Sequence, residues 1–166
     1  MKNIYISIGS NLGDPLKQTL QAITALNLLP SSSIIKTSSI YKTKPLGKIK
    51  QSDFLNMVIL LESNLEPEIL LDYIQKIEFN LGRIRKNDKW APRTIDIDIM
   101  LLDNKIINTN RLTIPHYGLK TREFMLYPLN EINPTIKFPD GELLSKRLMY
   151  IPNNDLTIWN KSIKNI

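Results

Sequence analysis

The chain has 166 residues, 22 Lys and Arg against 16 Asp and Glu, one His and no Cys, for a net charge of +6. That length fits one domain, expected over 1–166 with a peripheral tail from 152, and 42% hydrophobic with 23% charged residues is ordinary soluble composition. The lack of Cys excludes disulfides, zinc fingers and thiol nucleophiles; no apolar run reaches the ~20 residues of a membrane span, the opening MKNIYISIGSNLGD has no signal-peptide pattern, and the expected compartment is the cytoplasm.

Residues 4–8 read as a short apolar strand, broken by Gly9 to Pro15. Asp14 before Pro15 is a good N-cap with Pro at the first helical position. Leu16, Leu20, Ile23 and Leu26 or Leu28 then give the helical period, and Pro30 ends it. Residues 33–41 look like a strand. Pro45, Gly47 and three Lys mark a loop from Thr43 to Gln51. Residues 53–62 form the clearest alternating strand, with Leu55, Met57, Ile59 and Leu61 on the core face and Phe54, Asn56 and Val58 on the other. A second helix opens at Asn64 to Glu68, carries a stripe of Leu70, Ile74, Ile77 and Leu81, and closes at Gly82. Residues 83–93 read as a basic loop. A strand over 94–102, a turn at Asp103-Asn104, a short strand at Ile106-Ile107 and a short helix within 122–131 follow. The first six elements match a ferredoxin-like βαββαβ arrangement, an α+β fold with two helices on an antiparallel-rich sheet and the other sheet face free for loops or ligands.

The positive charge suits an anionic partner. Lys is scattered, whereas Arg83, Arg85, Arg93, Arg111 and Arg122 share one central stretch that leaves only Arg147 outside. Arg is the residue for forked phosphate contacts.

The sharpest constellation is Arg93-Thr94-Ile95-Asp96-Ile97-Asp98-Ile99-Met100. On a strand, Asp96 and Asp98 share one face and the Ile residues the opposite one. Two carboxylates about 7 Å apart repel unless a hard cation lies between them, and Mg²⁺ binds through one or two carboxylates plus substrate phosphates. The basic loop with Trp90 runs directly into this pair. Cations beside metal-binding carboxylates are what a polyphosphate–Mg²⁺ site requires. His116, followed by Tyr117 and Arg122, is a candidate phosphate donor, and a lone His cannot make a His-based metal site. Phe54 and Asn56 can stack a flat heterocycle and read its edge. Gln75 and Glu78 share a helix face. No Walker A, GxGxxG or GxSxG motif occurs. The Asp pair and basic loop also fit a metal-dependent phosphohydrolase or nuclease, and a basic ferredoxin-like sheet fits a non-catalytic RNA-binding module, although the aromatic-rich strands of the latter are missing.

Lys89-Trp90-Ala91-Pro92-Arg93-Thr94-Ile95-Asp96-Ile97-Asp98-Ile99-Met100 resembles the signature of the 6-hydroxymethyl-7,8-dihydropterin pyrophosphokinases of folate biosynthesis. The likeness continues at Tyr5 to Gly13, Ser39 to Thr43, Pro45-Leu46-Gly47, Phe54-Leu55-Asn56, Glu78 to Arg85, Thr113 to His116 and Arg122 to Leu129. It implies transfer of pyrophosphate from ATP to the pterin hydroxymethyl group with release of AMP. It further implies two Mg²⁺ ions on Asp96 and Asp98, with Arg83 and Arg93 also catalytic. A pterin pocket would be made by Thr43, Pro45, Leu46, Phe54, Asn56 and Phe124. ATP would lie among Gln75, Glu78, Arg85, Trp90, Ile99, Arg111, Leu112, Thr113, His116, Tyr117 and Arg122. Two loops, one around Gly47 and one over 83–93, would act as lids. Partners would be these small molecules, with neither nucleic acid nor membrane, and the chain is expected to be monomeric. Lys44 stands where many relatives have Pro, and Ala91 replaces the commoner Gly; neither touches the Asp pair.

Overall fold

The computed structural model describes residues 1–43, 53–82 and 95–160. Twelve elements follow in chain order: β1 (Lys2–Ser10), α1 (Pro15–Asn27), β2 (Ser32–Thr37), β3 (Ile40–Thr43), β4 (Phe54–Ser63), α2 (Pro67–Asn80), β5 (Asp96–Leu102), β6 (Ile107–Asn108), β7 (Thr113–Ile114), α3 (Glu123–Ile132), α4 (Leu144–Leu148) and β8 (Thr157–Asn160). The main sheet runs β5-β1-β4-β3-β8, with β2 also on β4, and its recorded pairings are antiparallel. Taking β2 and β3 together, this is the ferredoxin-like order expected from the element sequence.

Local chemistry sets the boundaries. The Asp14 carboxylate accepts from Lys17 N–H at 3.1 Å and caps α1, with Pro15 at the first helical position. Gly82, just beyond α2, takes φ +89°, a conformation open to glycine at no steric cost. The single strand expected over 33–41 is two strands. At Ser38 the hydroxyl accepts from Val58 N–H (2.9 Å) and donates to Ser39 O (2.7 Å), so a side chain enters the ladder and the strand is interrupted.

One sheet face carries α1 and α2. Ile4, Ile6 and Ile8 of β1, Met57, Ile59 and Leu61 of β4, and Ile97 and Ile99 of β5 meet Ile23, Leu26, Leu70 and Ile74 there. The opposite face is not left free, as the sequence suggested. Val58, Tyr5, Met100 and Leu101 are buried on it beneath Met125, Leu126 and Leu129 of α3, with Phe138 and Leu144 behind. A second core therefore occupies the middle of that face, because α3 presents a continuous apolar stripe that water would otherwise meet. Among the described residues this second core does not extend over the end where β4 and β5 begin. Of the segment expected to be peripheral, Thr157–Asn160 adds an exposed edge strand against β3.

A bulge in β5 matters for the site. Tyr5 pairs with Leu101 and Ile6 with Ile99, so Met100 is an extra residue. Its carbonyl accepts from His116 N–H at 3.0 Å, which docks the segment after β7 beside the Asp pair. Among the described residues no helix is long and apolar enough to cross a membrane.

Candidate active site

Four strands bring polar residues into one row at the end of the sheet where β4 and β5 begin. Tyr41 pairs with Asn56, Asn56 with Gly9, and Gly9 with Asp96; one step along, Ser7 pairs with both Val58 and Asp98. Directly paired residues share a face, so Asn56, Asp96 and Asp98 all point to the same side, as their spacing predicts. Neighbouring strands lie about 4.8 Å apart, which puts Asn56 and Asp96 about 10 Å from each other across Gly9.

The Asn56 end is rigid. Its Nδ2 donates to Thr43 Oγ1 at 2.7 Å, and both residues are only 5% exposed. A Cβ on Gly9 would lie 2.7 Å from Asn56 Oδ1, so the amide leans over a position that only glycine leaves open. Phe54 lies opposite Thr43 at the start of β4, and Phe124 lies in the first turn of α3; both are partly exposed.

At the other end Asp96 and Asp98 are partly exposed on β5, while Ile97 and Ile99 between and beyond them are buried on the helix side. His116 faces the pair, with Nε2 3.8 Å from Asp98 Oδ1. Burial first, and the Arg122 charge second, lower its pKa from 6.5 to about 4, against a smaller upward pull from Asp96. The ring is therefore neutral at pH 7 and this contact is no ion pair. Gly118 N–H donates to Nδ1 at 3.0 Å, which places the ring proton on Nε2, aimed at the site. Tyr117 stacks on His116 with centroids 4.5 Å apart. Arg122 donates to Tyr117 OH at 3.0 Å and lies 4.9 Å from that ring and 5.7 Å from the Phe124 ring.

This chain has one His, so its imidazole signals in an NMR titration are unambiguous. They are expected to move from their neutral positions with a midpoint near pH 4. Between about pH 6.5 and 4 the unfolded chain binds this proton and the folded one does not, so stability is withdrawn as the pH falls through that window. A midpoint near 6.5 in the folded protein would refute the buried neutral ring.

The remaining candidates gather along the outer edge of β5. Glu78, 4% exposed, accepts from Ile97 N–H at 2.9 Å and so ties α2 to the edge strand. By strand alternation the main chain of Ile99 faces the same edge while its side chain is in the core. Gln75 is partly exposed one turn before Glu78. Arg111 donates to Asp72 of α2 at 2.5 Å, Leu112 is buried in the helix-side core and Thr113 is exposed. Pro45, Leu46, Gly47, Arg83, Arg85, Trp90 and Arg93 lie outside the described residues. Gly9 was not singled out beforehand, although a glycine inside a strand pattern signals close approach.

The donor set suits a hard cation. Among the described residues no third His, Cys, Asp or Glu completes a metal cluster with the Asp pair. Two carboxylates are the set through which Mg²⁺ binds when waters and phosphate oxygens fill its other positions.

A family model described as 7,8-dihydro-6-hydroxymethylpterin-pyrophosphokinase matches residues 5–134. The 2-amino-4-hydroxy-6-hydroxymethyldihydropteridine pyrophosphokinase of Pseudomonas aeruginosa is 39% identical over 152 residues, 92% of this chain and 93% of its own. That of Haemophilus influenzae is 42% identical over 146 residues, 88% of this chain and 91% of its own. A crystal structure titled HPPK-DHPS in complex with substrates superposes with a TM-score of 0.67 at 15% identity, covering 89% of this chain and 44% of that one. The solved protein is about twice as long, and the likeness to it concerns the fold.

Proposed function

Since the chain belongs to the 7,8-dihydro-6-hydroxymethylpterin-pyrophosphokinase family, we propose that the row across β3, β4, β1 and β5 is where it moves pyrophosphate from ATP to 6-hydroxymethyl-7,8-dihydropterin. The oxygen of the hydroxymethyl group attacks the β-phosphorus of ATP, the bond from that phosphorus to the α-phosphate oxygen breaks, and AMP leaves with the electron pair. The products are AMP and the pterin diphosphate of folate biosynthesis.

The observation that carries the residue assignment is the register Tyr41–Asn56–Gly9–Asp96, with Asp98 and the neutral His116 beside it. A pterin ring fits between Phe54 and Phe124, stacked on both. Asn56, its amide fixed by Thr43, pairs with the amide-like edge; the resemblance adds Pro45 and Leu46, outside the described residues. The hydroxymethyl arm then reaches along the row toward Asp96, to which this reading assigns the hydroxyl proton. ATP lies along the outer edge of β5, its base near Gln75, Glu78, the Ile99 main chain and the 111–113 segment, its phosphates toward the Asp pair. The Nε2–H of His116 and the Arg122 guanidinium donate to phosphate oxygens, and Tyr117 backs both. The resemblance assigns Arg83, Arg85, Trp90 and Arg93, outside the described residues, to the same phosphates as further cations and contacts.

Asp96 and Asp98 would hold Mg²⁺, two ions in this reading, and bound there the metal neutralises and orients phosphate oxygens. With little covalent work left to the protein, rate comes from positioning and charge. The resemblance assigns the exclusion of water, which would keep ATP from hydrolysis, to the segments around Gly47 and over 83–93, outside the described residues. The enzyme in this reading is a cytoplasmic monomer with small-molecule partners. Neither phosphohydrolysis nor RNA binding finds support among the relatives.

The test is incubation with ATP, Mg²⁺ and 6-hydroxymethyl-7,8-dihydropterin with the nucleotides resolved. AMP is expected only when the pterin is present. ADP, or AMP formed without pterin, would overturn the reading.

A further inference from the structure

Three donors converge on one carboxylate at the far end of α3. Glu131 accepts from Ser39 N–H at 3.0 Å, from Ser39 Oγ at 2.9 Å and from Tyr41 OH at 2.6 Å. The Tyr41 hydroxyl is pushed far above its ordinary pKa, by burial first and by Glu131 second, so it stays a donor. These contacts join α3 to the start of β3 across 90 residues or more of chain.

Both tethered elements carry a wall of the slot described above. Phe124 is the second residue of α3, and Glu131 the last but one. Thr43 closes β3, paired with Phe54 and bonded to Asn56. Besides these, Asn133 at the C-cap of α3 donates to Tyr5 OH of β1 at 2.8 Å, a neutral bond that does not reach β3; the rest of the α3 face meets the sheet through apolar packing around Val58 and Met125, which resists separation but does not fix register. Bonds to a charged acceptor are directional and roughly twice as strong as neutral ones. Resting on the proposed pterin site, we infer that Glu131 is a positioning residue that sets the spacing of the two aromatic walls and thereby selects for the pterin, without touching either substrate.

The test is Glu131→Gln, which keeps one acceptor oxygen where three donors need two. The KM for pterin, and its Kd by equilibrium titration, are expected to rise about tenfold, while the KM for ATP stays within about twofold. Tyr41→Phe keeps the ring and removes one donor, so it should shift the same constants in the same direction by less. It also carries the test if Glu131→Gln does not fold, as judged by circular dichroism. The double variant should be no worse than Glu131→Gln alone, because both changes break one network. An unchanged pterin constant in a folded variant, equal shifts for ATP and pterin, or strict additivity would overturn the inference. Wild-type protein that fails to bind the pterin would overturn the functional reading, and this inference with it.

Discussion

Asp98→Asn is expected to leave the fold intact and to cut turnover by a factor of about 10²–10³. The side chain is partly exposed on β5 and its backbone pairs with Ser7. Asn has the same shape, so the strand ladder is untouched and the helical-side core under Ile97 and Ile99 is undisturbed. What disappears is one of two negative charges on this face. The loss falls on the positioning of phosphate oxygens in the transition state, since little else in the reaction depends on the protein. AMP formation measured over a Mg²⁺ series checks it, together with a thermal melt to confirm the fold. Wild-type rates at limiting Mg²⁺ would remove Asp98 from the metal site.

Gly9→Ala is expected to act at the other end of the row. The residue has a strand conformation that Ala adopts freely, so the backbone is not strained. The new Cβ, however, would sit 2.7 Å from Asn56 Oδ1 and 3.7 Å from its Cγ. The amide must turn away, and the 2.7 Å bond to Thr43 breaks. Both groups are buried, and each orphaned one costs about 1–3 kcal/mol. For the two groups together, melting is expected to fall by at least about 4 °C, at about 2–4 °C per kcal/mol for a domain of this size. The KM for pterin should rise about tenfold or more, with the KM for ATP unchanged. If both constants match the wild type, Asn56 does not read the pterin edge.

The Asp pair was legible because strand alternation alone puts residues 96 and 98 on one face, and the apolar residues around them decide which face is inside. Asn56 and Phe54 were legible for the same reason. Val58 shares their parity yet is fully buried, because α3 returns over the middle of the sheet. That return joins residues far apart in the chain, and no local pattern reports it. The split at Ser38 was hidden too, since a serine that joins a ladder through its hydroxyl looks like any other strand serine until its partner, Val58 N–H, is known. His116 drew attention as the only imidazole. Its neutrality and tautomer come from burial and from Gly118 N–H, both products of tertiary structure. The bulge at Met100 likewise appears only when β1 is laid beside β5.

The bond from Ile97 N–H to Glu78 has a consequence beyond the site. β5 ends the sheet order, and a bare terminal strand is a template on which another molecule's strand can grow, the first step toward aggregation. A buried carboxylate occupying an outward amide in the middle of that strand interrupts the template. A residue argued to flank a nucleotide thus also helps keep neighbouring copies of the enzyme apart.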